Sequence, residues 1–480
     1  MAEDGVRERR SGRMGRIGRR EAIAVAALLA VLAVAVATAF VILRTPGPRG
    51  EFTVVTGRDA SRTGIYAALI DEWNACHAGD GPQARLIELS GITDLQRADM
   101  LRQLQSDGPG YDVLNLDTQW IAEFARAGHI AALGDDVDTS GLLRNILDAT
   151  SYEGDTWAVP FIADAGLLFF RSDLVDREDL EAEGQDWGDT LAVLRDAAEE
   201  TGRNDDHGYA GQLSAYEGLT VNALEVANVE GHGLVDDQGS LRADLTGTSQ
   251  RAALRLIADR LATGAIHPES LDDTEIDSAD RFTAGEVIAM RNWPVWYDDL
   301  AERPGVRPVD ELAGREDRGE DPDGGEIEFG VLPLPDSSAV LGGQSLAVAD
   351  ASPHRDAAID LIEFLTAPEQ QRRLFHTAGY APVREDAYHG EVAEGVRSDC
   401  DPDGGPTAGV EERRGAYADL LLDSVRGARA RPPTPYYQRF SQTFYTGLHP
   451  LLKASARGEN LHLGELADLE GRLQNTLSGH

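Results

Sequence analysis

The segment MRNWPVWY, residues 290–297, gathers two of the chain's six tryptophans, Trp293 and Trp296, with Tyr297 around Pro294. Rings so grouped are either core or a platform held out for a ligand. Several polar residues sit where ligands collect. Asp59 follows the apolar run FTVVT, and Asp117 closes YDVLNL; in parallel α/β sheets ligands gather beyond the C-terminal ends of strands. Each acid also has an ordinary use: Asp59 can cap its own turn, and Asp117 can cap a helix starting at TQWIAEF. Asn115 lies two residues before Asp117 and so shares its strand face. Asp164 interrupts the apolar run VPFIADAGLLFF, where a buried carboxylate needs a partner or a ligand.

Catalytic signatures are missing. The sequence holds no G-x-S-x-G elbow, no H-E-x-x-H and no G-x-x-x-x-G-K-[ST] phosphate loop. No G-x-G-x-x-G follows a strand, and the eleven histidines show no metal-ligand cadence. With 83 acids, carboxylate pairs must arise by chance, so a glycosidase pair is not readable. These absences tilt the reading toward binding, with no catalytic residue, metal or cofactor expected.

Charge narrows the partners. The first 44 residues hold eight arginines against four acids, a net +4, so the chain's −39 becomes −43 over the other 436 residues. Such a body repels phosphate backbones and anionic lipid, which argues against nucleic acid. The same acidity suits either adaptation to high salt or plain solubility of an exported protein. Lys453 is the only lysine, which fits a GC-rich genome.

Residues 1–21 form a basic segment ending in Arg19-Arg20, and residues 22–43 form an apolar run. As a helix that run would span about 33 Å, one hydrocarbon core. The arginines should stay cytoplasmic, placing the rest outside as an anchored extracellular body; cleavage after Ala37-Thr38-Ala39 would instead release it. No cysteine lies at the end of the run, so a lipoprotein anchor is excluded. Cys76 and Cys400, the only cysteines, are free to pair outside the cytoplasm.

Beyond a linker at 44–51, FTVVT, ARLIEL and YDVLNL read as strands, separated by the helices IYAALIDEWNACH and DLQRADMLRQLQSD and followed by TQWIAEFARAGHI. This alternation predicts an α/β fold with a largely parallel sheet. WAVPFIADAGLLFFRSDLV reads as two extended segments, and residues 176–300 read as mainly helical. EIEFGVLPLP and SLAVAD return to strand, and three helical stretches close the chain. The acidic, glycine-rich segments 310–326 and 397–414 read as surface insertions.

The chain resembles the extracellular solute-binding proteins of bacterial sugar ABC importers, in their maltose/trehalose-type actinobacterial branch. The resemblance runs from about Phe52 to about Ala454. Its carriers, in order, are VTGRDAS, YDVLNLDTQWIAEFARAGHIAAL, WAVPFIADAGLLFFRSDLV, AYEGLTVNALE, VIAMRNWPVWY, FGVLPLP, LGGQSLAVA, AAIDLIEFLTAPEQQ, GYAPVREDAY and RPPTPYY. It implies a two-lobed periplasmic-binding-protein-like fold with discontinuous lobes and a hinge. Lobe one would be 52–163 plus 334–380, and lobe two 164–333 plus 381–480. A monomer would close on a di- or oligosaccharide and deliver it to ABC permease subunits.

The resemblance also assigns ligand contacts. It implies them for Asp59, Asn115, Asp117, Asp164, Glu217, Trp293, Tyr297, Gly342, Gly343 and Arg384. The chemistry suits a sugar: carboxylates accept hydroxyls, arginine donates through a planar fork, and rings pack on C–H faces. The bland alternatives are a helix-start acid for Glu217, a surface ion pair for Arg384 and a core ring for Trp293. Two departures stand out. Val295 and Gln344 occupy positions where the family often has aromatics, which opens the sugar's identity. Trp296, Tyr297 or Trp120 could compensate. Another polyol, glycoside or polar solute is the runner-up ligand, an anchored sensor the runner-up role, and a carbohydrate hydrolase the remotest reading.

Overall fold

The computed structural model describes residues 50–79, 81–106, 110–184, 186–202, 207–227, 244–309, 327–390, 415–431 and 433–477. The apolar run 22–43, both acidic insertions and Cys400 lie outside the described residues. Cys76 is disulfide-bonded. Among the described residues no helix is long and apolar enough to cross a membrane.

Two sheets organise the body. The first is built from strands β1 (Glu51–Thr56), β2 (Gln83–Glu88), β3 (Val113–Asp117) and β4 (Val159–Ala165), with two later strands. Strand β1 lies parallel between β2 and β3, pairing Val54 with Leu86 and with Val113. Phe52, Val54 and Val55 are all buried, as expected where both faces of a parallel sheet are covered. Helix α1 (Ile65–Cys76) buries Ile65, Tyr66, Leu69, Ile70 and Trp73. That spacing puts one apolar stripe on the sheet.

Gly166 alone separates β4 from β5 (Leu167–Arg171), the first strand of the second sheet. That sheet adds β6 (His207–Ala210), β7 (Val287–Asn292), β8 (Val306–Pro308) and β9 (Ile327–Pro333), in the order β8-β9-β5-β7-β6. Strand β10 (Val340–Val348) returns to the first sheet, antiparallel to both β3 and β4. The two-residue β11 (Arg429–Ala430) pairs with its start. Thus Asp164, Ala165 and residues 429–430 belong to the first sheet, although their segments were expected in the second lobe.

Two strands fall inside the stretch read as helical. Strand β7, VIAMRN, is buried at every position, so it lacks the polar–apolar alternation that marks a strand. Strand β6 is only four residues long. The stretch TQWIAEFARAGHI, expected as one helix, folds as a 3-10 turn at Thr118–Trp120 and a short helix at Ile121–Arg126. A terminal helix at Leu463–Leu477 was not foreseen.

Candidate ligand site between the two sheets

Asp117 ends β3 on the first sheet, with its side chain 19% exposed. Glu217 begins helix α2 (Glu217–Ala227), every residue of which is buried. Arg431, just past β11, bridges the two acids. Its Nη2 donates to Asp117 Oδ1 at 3.1 Å and its Nη1 to Glu217 Oε1 at 2.9 Å. Among the described residues its buried Nε has no hydrogen-bond partner, a charged donor still able to take an acceptor. Glu217 also accepts from the Tyr437 hydroxyl at 2.8 Å and from Ser441. Burial pushes both carboxyls above their usual range, with Arg431 pulling back.

Asp164 lies on β4 opposite Gly342 of β10. A Cβ on Gly342 would stand 3.0 Å from Asp164 Cβ and 3.1 Å from the rim of the Trp293 indole. Only glycine lets the ring approach so closely, so these three residues form one corner. Burial, then the charge of Asp117, pushes the Asp164 carboxyl up to about 7 against the pull of Arg291 and Arg431.

Trp293 follows β7 and packs partly buried against core on both sides, that of the first sheet and that of the second. The Arg291 guanidinium lies 3.6 Å from its ring centroid. One ring face is therefore taken, and a ligand could use only the other. The indole Nε1 approaches Glu275 Oε1 at 3.4 Å, and Glu275 Oε2 accepts from the Tyr216 hydroxyl at 2.9 Å. Glu275 opens helix α3 (Glu275–Thr283), where the positive end of the helix dipole favours an acid.

The remaining expected contacts sit elsewhere or are otherwise engaged. Asp59 serves its own turn: its carboxylate accepts from the Ser61 and Tyr66 backbone N–H groups and from the Tyr380 hydroxyl at 2.8 Å. Arg384 lies across the 140–141 turn, donating to the Ser140 carbonyl at 2.9 Å and to Asp386. Tyr297 stacks on Tyr417 at 4.1 Å between centroids and meets Phe329 edge-on. Asn115 is buried, donating to Thr56 Oγ1 and to Gln344 Oε1 at 2.7 Å. Gly343 has φ +110, and a Cβ there would strike the Ile162 carbonyl; its role is to let β10 pass β4. Trp120 is fully buried with its Nε1 on Gln438, and Val295 is core. Neither supplies a platform.

Sequence reasoning missed Arg431, Glu275, Tyr216 and Arg291. Arg431 was in view within RPPTPYY, where an arginine in a proline-rich turn carries no periodic signal. Glu275 sits one residue into the capping box of Thr274 and Asp277, and that helix-start pattern was the available cue.

Two sheets joined by several crossings, with a polar cluster and a tryptophan where they meet, form a capture geometry. A model of the bacterial extracellular solute-binding proteins matches residues 86–397. The chain belongs to this family. A solute-binding protein captures its ligand and does not turn it over. The chain is 27% identical over 411 residues to a Deinococcus radiodurans protein described as "Probable ABC transporter-binding protein". That match covers 82% of this chain and 88% of the relative. Among solved structures, maltose-bound MalE3 of T. maritima superposes with a TM-score of 0.67 at 22% identity, over 90% of this chain and 99% of that one. UgpB of Mycobacterium tuberculosis, in complex with glycerophosphocholine, gives 0.67 at 17% identity, over 90% and 99%. These similarities establish the two-lobed fold of the solute-binding protein described here.

Proposed function

We propose that this solute-binding protein is the substrate-binding component of an ABC-type sugar importer, capturing a trehalose- or maltose-like di- or oligosaccharide between its lobes. The observation that carries the reading is the juxtaposition of Asp117, Asp164, Glu275 and Arg431 with Trp293. Carboxylates and an arginine fork can hold hydroxyls in fixed geometry, and the indole face opposite Arg291 can take the C–H face of a pyranose. The protein would deliver its sugar as a monomer to permease subunits. The run at 22–43 would anchor it on the outer face of the membrane.

One observation favours a second reading, a smaller polyol, glycoside or other polar solute. Where the family resemblance expects rings, Val295 is buried core and Gln344 is engaged by Asn115, so neither of those two positions adds a platform beside Trp293. The ligand in the UgpB structure, glycerophosphocholine, supports that breadth. Calorimetry against maltose, trehalose, lactose and glycerophosphocholine separates the two. Heat with a disaccharide is expected; heat with glycerophosphocholine alone would favour the second reading, and no heat with any sugar would contradict the first.

A further inference from the structure

Helix α2 carries a second acid near its other end. Glu225 faces Arg291 of β7, each with a side chain 1% exposed. Their contact is bidentate: Nε to Oε2 at 2.9 Å and Nη2 to Oε1 at 2.7 Å. A fully buried ion pair is poor value as a stabiliser, because apolar residues of the same volume often serve as well or better. Its surroundings suggest another use. The Arg291 guanidinium lies over the Trp293 ring. Glu225 Oε1 also accepts the backbone N–H of Val340, the first residue of β10, at 3.4 Å. A Cβ on Gly166 would stand 2.5 Å from Glu225 Oε1 and 2.8 Å from Arg291 Nη2. The pair therefore touches the crossing from β4 to β5, the start of the strand at the return crossing, and the indole of the candidate site.

We infer that the Glu225–Arg291 pair is a positioning device that fixes the Trp293 indole against the two chain crossings between the lobes and leaves it one usable face. Two parallel bonds to Glu225 stop the guanidinium from turning, and the ring held against it at 3.6 Å inherits its position. Lysine could neutralise Glu225 but has neither the fork nor the flat surface. Neither residue is assigned a ligand contact; both act through Trp293. The inference rests on the proposed role of Trp293 as a ligand platform.

The test uses the full chain carrying Arg291→Lys, with the charge-free double variant Glu225→Gln/Arg291→Met as a second route. Without ligand, near-ultraviolet circular dichroism is compared with that of Trp293→Phe, which isolates the indole's own band. With ligand, calorimetry uses the best binder among maltose, trehalose and lactose. Either variant is expected to lose the Trp293 band and to weaken binding about tenfold. In a Trp293→Ala background the same change is expected to cost less than about twofold, because the two act through one ring. An unchanged band, or equal losses in both backgrounds, would overturn the inference. Should wild type bind no sugar, the proposed function fails, while the ligand-free spectrum still decides whether the pair orients Trp293.

Discussion

Trp293 is the residue on which the binding reading is most exposed to test. If a sugar packs on the face opposite Arg291, Trp293→Ala weakens binding by about 2–3 kcal/mol. If the ring is only core, affinity holds while the melting temperature falls. Gly342→Ala probes the same corner from the strand side: the added methyl meets Asp164 and the indole rim at 3.0–3.2 Å. It should weaken sugar binding while leaving the far-ultraviolet spectrum unchanged. Asp164 adds a pH signature. Its carboxyl is pushed up to about 7, chiefly by burial, so the folded protein holds a proton that the unfolded chain has released. Stability from this group therefore falls as pH rises from the unfolded value toward 7, and is flat above it. Asp164→Asn should gain most over wild type near pH 8 in thermal melts, with the gap closing toward pH 4. A gap independent of pH would contradict this account.

At the scale of elements, α2 and the Arg431 turn tie the site together. Arg431 joins an acid at the end of β3 to one at the start of α2. Removing it leaves two carboxylates buried without a counter-charge. Arg431→Met should therefore cost about 3–5 kcal/mol in denaturant unfolding, and Arg431→Lys should recover only part of it, lacking the fork. Much of this layout was legible beforehand. FTVVT, ARLIEL and YDVLNL announced themselves as strands because apolar runs between helical repeats have few other uses, and Asp117 stood out as a candidate because strand ends in such sheets are predictable. Strand β7 was not legible, since burial on both faces erases alternation. Asp59 and Arg384 show the limit of motif transfer. Residue type and chain position matched, but local turns claimed their polar atoms, and no one-dimensional pattern reveals which carbonyl a guanidinium will reach. Arg431 shows the converse, an isolated residue whose partners lie 214 and 314 positions away.

For the whole molecule, charge is the dominant property. A body of net charge near −40 repels itself, and added salt screens that repulsion within roughly a Debye length. The melting temperature should rise as sodium chloride is raised from about 0.1 to about 1 M. A flat or falling trend would argue that the surface acids are already offset by local ion pairs. The lobes are also tied beside the cluster: Gln438 and Tyr445, on the helix Tyr437–Ala456 that packs on the second lobe, both donate to Asp94 at the start of the helix Thr93–Leu104 of the first. The central claim is that a sugar is held where the lobes meet, and a crystal structure of the protein with maltose or trehalose tests it most directly. The account predicts a sugar ring against the face of Trp293 opposite Arg291, with hydroxyls on Asp117 and Asp164. A bound sugar that touches neither Trp293 nor these acids would contradict it.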